Sequence, residues 1–172
     1  MSTFICTYKP TDIFSSLPPG MCLGQEVFWP AQGVDKSAAA VLPPDIGEPG
    51  VWGRLVYNDS GSNIAKGAVL SRKAGEVKSH VRASPTSTDG TAVAGVALGA
   101  ITSTYYGFMC IGGQCAVLAG AAGFSANTAI KQSTIAAGVA VDSAATPPAD
   151  AFGYAHEAAT SGNLGKATIF RK

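Results

Sequence analysis

From Val51 onward, short apolar runs alternate with clusters of turn-forming residues. "VWGRLVYN" (51–58) runs into Asn58-Asp59-Ser60-Gly61-Ser62-Asn63, a dense group of turn formers. "GAVLSR" (67–72) follows, then a polar, basic stretch from Lys73 to Asp89. After it come "TAVAGVALGAITS", "YYGFMCIGGQCAVL" and "NTAIKQSTIAAGVAVDS"; the turn "AATPPAD" then leads into "AFGYAHEAAT" and the closing "SGNLGKATIF". None of these carries a sustained 3.6-residue apolar stripe with caps, and Gly recurs inside them, which weakens a helix. The pattern predicts an all-β domain over residues 51–172 with little helix.

Residues 1–50 read differently. They hold seven of the ten prolines, Pro10, Pro18, Pro19, Pro30, Pro43, Pro44 and Pro49. Proline fixes φ and removes a donor, so neither a continuous helix nor a central strand is expected. Yet Phe4, Ile5, Phe14, Leu17, Val27, Phe28 and Trp29 make the segment too apolar for a solvated tail. It reads as an extended N-terminal arm whose aromatics dock on its own barrel or on a neighbour.

Gly112-Gly113 suits a two-residue hairpin loop, which needs positive φ. Such a loop sets Cys110 opposite Cys115 in a close, non-hydrogen-bonded pair with Cα atoms about 4.5 Å apart, the short edge of disulfide geometry. Zinc would want two further ligands, and Cys6, Cys22, His80 and His156 stand apart from the pair in sequence. The expectation is a turn flanked by half-buried thiols, with no metal site. Both faces of this hairpin are apolar, so it is either central with its outside covered or set against another subunit. A faint echo also links Asn63-Ile64-Ala65-Lys66 with Asn127-Thr128-Ala129-Ile130, and Gly95–Ala100 with Gly153–Ala158. It suggests two similar halves of one barrel or sandwich.

Composition narrows the function. Of the 172 residues, 47 % are apolar and only 13 % charged, against about 25 % charged in typical soluble domains. Such a surface is either rich in small neutral residues or covered by partners. A net charge of +1 gives no footing for nucleic acid. "AVAGVALGAI" (92–101) is the longest apolar run, too short for the roughly 20 residues of a membrane helix. The start "MSTFICTYKP" lacks the pattern of a secretory signal, which points to a cytoplasm and reduced cysteines.

Catalytic motifs do not assemble. There is no GxSxG elbow, and Ser71-Arg72-Lys73 misses the SxxK spacing. "GNLGKAT" is not a phosphate loop. His156-Glu157, read as part of an alternating strand, sends its two side chains to opposite faces. Arg72, Lys73, His80, Lys78 and Arg82 form the one basic concentration, either a contact for an acidic surface or phosphate, or a solvated loop. The expectation is no enzyme, no catalytic residue and no cofactor.

"RLVYNDSGSNIAKGAVLS", "GVALGAITSTYYGFMCIGGQCAVLAG", "GVAVDS" and "FGYAHEAATSGNLGKATIF" together resemble the capsid decoration (cement) proteins of tailed bacteriophages, over residues 51–172. The resemblance implies a small β-barrel or tulip-like sandwich, usually a homotrimer. Such a protein binds the major capsid protein on the outside of the head, stabilising contacts between shell subunits after assembly in the host cytoplasm. The extended arm matches the family in kind. Phe14, Phe28, Trp29 and Trp52 are the candidate partner contacts, since aromatics dominate interface hot spots; Trp52 also fits ordinary barrel core. The competing reading is a trimeric tail-fibre or receptor-binding β module, with residues 72–90 as its binding loop.

Overall fold

The computed structural model describes residues 8–30, 50–72, 79–83, 93–143 and 151–170. Residues 1–7 and 31–49 of the arm, most of the 72–90 loop and the "AATPPAD" turn lie outside them. The described residues form ten strands and no helix. In chain order these are β1 (Glu26–Pro30), β2 (Gly50–Asn58), β3 (Val69–Arg72), β4 (His80–Ala83) and β5 (Val93–Ala97). Then follow β6 (Tyr106–Leu118), β7 (Ala129–Gln132), β8 (Ala140–Asp142), β9 (Gly153–Ala155) and β10 (Leu164–Ile169). The fold is all-β, and the sheet runs β1-β2-β4-β3-β5-β6-β10-β9-β7-β8.

Because β2 also pairs with β6, strands β2, β4, β3, β5 and β6 close on themselves. Val56, Ile64, Leu70, Ala97, Ile101, Met109 and Ile111 belong to one buried cluster within this ring. Closure removes sheet edges and buries alternate residues of short strands that could not bury them alone.

Strand β6 corrects the hairpin expectation. It is one continuous 13-residue strand with Gly112-Gly113 in its interior, not two strands joined by a turn. The φ of +98° at Gly113 is spent on a close approach: a Cβ there would lie 2.2 Å from the carbonyl oxygen of Gly50. Val51 pairs Gly113, Trp52 pairs Gly112 and Gly53 pairs Cys110, so Ile111 is the extra residue of a bulge. Beyond this joint β6 takes β10 as partner, from Ile169 opposite Gly113 to Leu164 opposite Leu118. Cys110 and Cys115 are therefore buried thiols on one strand, outside any disulfide, and they form no cross-strand pair. Strand β6 is apolar on both sides because both are buried: Met109 and Ile111 join the ring cluster, whereas Phe108, Cys110 and Val117 join the main core.

The second half repeats the first, pair by pair. Strand β2 opposite the start of β6 (Tyr57 with Tyr106, Val56 with Gly107) becomes the end of β6 opposite β10 (Leu118 with Leu164, Val117 with Gly165). Pairing of β3 with β5 (Leu70 with Gly95) returns as β7 with β9 (Ile130 with Gly153). The parallel contact of β2 with β4 returns as the bridge between Ala119 and Ala140. Even the loop bridge of Ile64 with Ile101 has its counterpart in Phe124 with Ala159. The echo in the sequence was thus structural. Gly95–Ala100 does match Gly153–Ala158, whereas Ile64 aligns with Phe124, not with Thr128. Gly107 and Gly165 both make room for a buried side chain, since a Cβ would meet Ile101 at 2.8 Å in the first case and Phe124 at 2.7 Å in the second.

Candidate interaction surface

The arm is no independent unit between residues 8 and 30. Strand β1 adds to the start of β2 in antiparallel register, from Glu26 opposite Arg54 to Pro30 opposite Gly50. Alternation along β1 then sends Val27 and Trp29 inward, while Phe28 faces the other way beside Trp52. Trp29 is 3 % exposed; its ring meets Phe108 edge-on at 5.1 Å, and its indole N–H donates to the Tyr8 carbonyl at 2.8 Å. The lack of a side chain at Gly53 makes room for it, since a Cβ there would sit 2.2 Å from Trp29 Cζ3. Trp29 is therefore part of the chain's own core.

Phe14 is half-buried. Its backbone exchanges two hydrogen bonds with Tyr106, at 2.9 and 2.8 Å, and its ring stands edge-on to Tyr8 at 5.2 Å and to Phe108 at 6.2 Å. Phe28 and Trp52 form a tilted cross-strand pair, ring centroids 4.9 Å apart, both half-buried. Beside them Arg54 pairs with Glu26. The four aromatics thus divide: Phe14 and Trp29 fasten the segment to its own sheet, and Phe28 with Trp52 presents a partly open aromatic pair.

The most exposed large apolar side chains are elsewhere. Ile13 and Leu17, each 42 % exposed, lie on the outer side of the docked segment; Tyr154 (38 %), Leu164 (42 %) and Phe170 (45 %) lie on or beside β9 and β10. Ile135 stands alone in the β7–β8 turn. Sequence reasoning counted Leu17 among the apolar residues of the arm but passed over Ile13, Tyr154, Leu164 and Phe170 by weighing aromatics in the arm. The signal available was the alternation of "LGKATIF", where Leu164, Lys166, Thr168 and Phe170 share one face.

Polar side chains serve the architecture. Asn58, fully buried, closes the "NDSGSN" turn: its Nδ2 donates to the carbonyls of Ser62 (2.8 Å) and Ile101 (2.9 Å), and its Oδ1 accepts from the Ser60 N–H and hydroxyl. Asp142 ties β8 to the turn before β7, accepting from the Ser125 N–H (2.8 Å), the Ser125 hydroxyl (2.9 Å) and the Thr128 hydroxyl (2.6 Å). Burial pushes the Asp142 carboxyl up, but these bonds to its charged form prevail and hold it below its ordinary value of 3.8.

His80 Nδ1 lies 3.4 Å from Asp59, and its ring meets that of Tyr57 at 5.1 Å, tilted by 53°. Of the basic concentration, Arg72 is exposed and Arg82 half-buried, its Nε without a hydrogen-bond partner; Lys73 and Lys78 lie outside the described residues. His156 and Glu157 correct the alternating reading. Strand β9 ends at Ala155, and the next two N–H groups both point at the Lys166 carbonyl, leaving both side chains exposed. His156 Nε2 lies 2.7 Å from Thr168 Oγ1. Among the described residues, no three His, Cys, Asp or Glu side chains gather as a metal site.

No protein-family model matches the chain, and no curated protein matches it. Among solved structures it is similar to the N base of the head fibre protein gp8.5 of bacteriophage phi29. The likeness covers 70 % of this chain and 94 % of that one, at 19 % identity and a TM-score of 0.47. Similarity of that degree carries no argument about function.

Proposed function

We propose that the protein is a structural component of a phage head and, in the finer reading, a decoration protein that binds the outer surface of the shell and stabilises contacts between major capsid protein subunits. The observation that carries the reading is the run of phrases through residues 51–172 that resembles such proteins. Physical character supports it. The chain is poor in charge, Asn58 and Asp142 are engaged in holding turns and strands, and it exposes large apolar side chains on two separate faces. A rigid scaffold with apolar patches fits repeated, individually weak contacts whose strength comes from copy number. The Phe28–Trp52 pair is the aromatic contact best placed for the shell. Its partner is protein; the chain acts as a clamp, not as an enzyme.

The test is quantitative mass spectrometry of purified virions from the source, scaling this chain against the major capsid protein. Copy numbers comparable to the shell protein are expected. A few copies per particle would assign the chain to a tail or fibre, and absence from the particle would overturn the reading.

A further inference from the structure

Among the described residues, two buried polar side-chain atoms have no hydrogen-bond partner, Ser71 Oγ and Arg82 Nε. They belong to one place. Ser71 on β3 stands directly opposite Arg82 on β4, and directly opposite residues of an antiparallel pair share a face. Their neighbours Leu70 and Val81 fill the ring, so Ser71 and Arg82 turn to its outer side. Ser71 is fully buried and Arg82 half-buried. Asp59, whose N–H donates to the Val81 carbonyl, has its carboxylate 3.4 Å from His80; Arg82 makes no ion pair with a described residue. The internal repeat shows that the fold does not require this arrangement. Pairing of β3 with β4 returns as β7 with β8, so Ser71 corresponds to Lys131 and Arg82 to Val141. Val141 packs against the chain beside it, where a Cβ at Gly120 would lie 3.1 Å from its Cγ1. An aliphatic side chain serves in the second half, whereas the first holds a partly desolvated guanidinium, which costs stability until a counter-charge arrives.

We propose that Ser71 and Arg82 form an oxyanion site whose ligand is a carboxylate. The guanidinium presents a fork of N–H donors that matches two carboxylate oxygens, and the Ser71 hydroxyl adds a further donor. Charge favours a carboxylate over phosphate. Asp59 already places one negative charge nearby, and Arg72, the next cation along β3, alternates to the opposite face. The place therefore balances one negative charge, not two. Both orphaned atoms are shielded from water in the free protein. No hydrogen bond or ion pair with a described residue fixes the guanidinium, so rotation of the Arg82 side chain brings it to an arriving carboxylate and uncovers the Ser71 hydroxyl. The site is a property of the isolated chain and does not rest on the capsid reading.

The test is a titration of the full chain followed by proton–nitrogen NMR, which reads the Arg82 Nε–H directly. Sodium acetate replaces sodium chloride at constant ionic strength, and the peak is assigned by its loss in Arg82→Lys. A saturable shift of that peak is expected. Ser71→Ala, with its fold checked by circular dichroism, should weaken acetate by about two- to tenfold, the worth of one hydrogen bond. A parallel titration with a capped Gly-Glu-Gly peptide separates the sources of the carboxylate. Tighter binding of the peptide assigns an acidic side chain of a protein, and acetate binding as tightly assigns a small free carboxylate. A peak that stays still, or moves no more than that of the exposed Arg72, overturns the site. Inorganic phosphate binding more tightly than acetate overturns the carboxylate, and acetate affinity unchanged by Ser71→Ala overturns the part given to the hydroxyl.

Discussion

Gly53→Ala isolates the contact that fixes the N-terminal segment to the sheet. Ala at Gly53 places its Cβ 2.2 Å from Trp29 Cζ3 and 2.8 Å from Cη2, closer than real carbon contacts come. Trp29 has no free direction in which to yield, because Phe108 stands at 5.1 Å and the indole N–H is held by Tyr8. Overpacking of this kind costs about 1–3 kcal/mol, offset by roughly 0.5–1 kcal/mol because Ala suits a strand better than Gly. The net expectation is a loss of about 0.5–2 kcal/mol. Trp29→Ala alone costs more, about 3–5 kcal/mol. With Trp29 already removed the clash is gone, and Gly53→Ala is then expected to be neutral or to stabilise by roughly 0.5 kcal/mol. Urea unfolding of the four proteins closes a double-mutant cycle in which the sign of one substitution inverts. If Gly53→Ala costs the same with and without Trp29, the indole is not seated against that glycine, and the docked position of residues 8–30 is wrong.

Three further outcomes are expected. Asn58→Ala removes both donors and the acceptor that close the "NDSGSN" turn, leaving the Ile101 carbonyl with only its bond from the Ile64 N–H. It should cost roughly 1–3 kcal/mol in urea unfolding, since each lost hydrogen bond contributes about 0.5–1.5 kcal/mol net. The depressed Asp142 carboxyl adds stability that is present above its unfolded value of 3.8 and is lost as pH falls through its lower folded value. Asp142→Asn should flatten that part of the stability–pH profile, and an unchanged slope would refute the hydrogen-bonded carboxylate. Cys22 is exposed whereas Cys110 and Cys115 are buried and outside any disulfide. Peptide mapping after native alkylation should find Cys22 labelled and the other two protected until unfolding; a recovered Cys110–Cys115 disulfide would contradict the continuous strand.

The all-β class was legible because period-two runs bounded by Gly, Asn and Ser leave helices no room. The repeat was legible too, through matches such as Gly95 with Gly153, though Ala and Gly are frequent enough to hide its true register at Ile64. The Gly112-Gly113 error has a local cause. A glycine pair signals either a turn or a close backbone approach, and only the position of Gly50, some sixty residues away in sequence, selects the second. The burial of Trp29 was not legible for a similar reason: it depends on Gly53, a residue whose relevance is what it lacks. Tyr154 and Leu164 went unnoticed because an exposed side chain leaves no mark in a short alternating run unless its face is known.

The shared strand explains why the two halves do not end alike. Each half is built on a pair of long antiparallel strands, and β6 serves in both, its start paired with β2 and its end with β10. A single strand can serve two rings only if its path bends between them, which is what the bulge at Ile111 and the positive φ of Gly113 provide. This economy fixes the order of the halves. The first is entered from the chain's N-terminal side, so residues 8–30 are available to lie across it and complete its outer layer. The second is entered from within β6 itself, with no preceding segment of its own. Its outer face carries Lys166 where the first carries Phe108, and Thr168 where the first carries Cys110. Those substitutions suit a face in contact with water, and Tyr154, Leu164 and Phe170 stand exposed on or beside it, as single apolar side chains do on solvated surfaces.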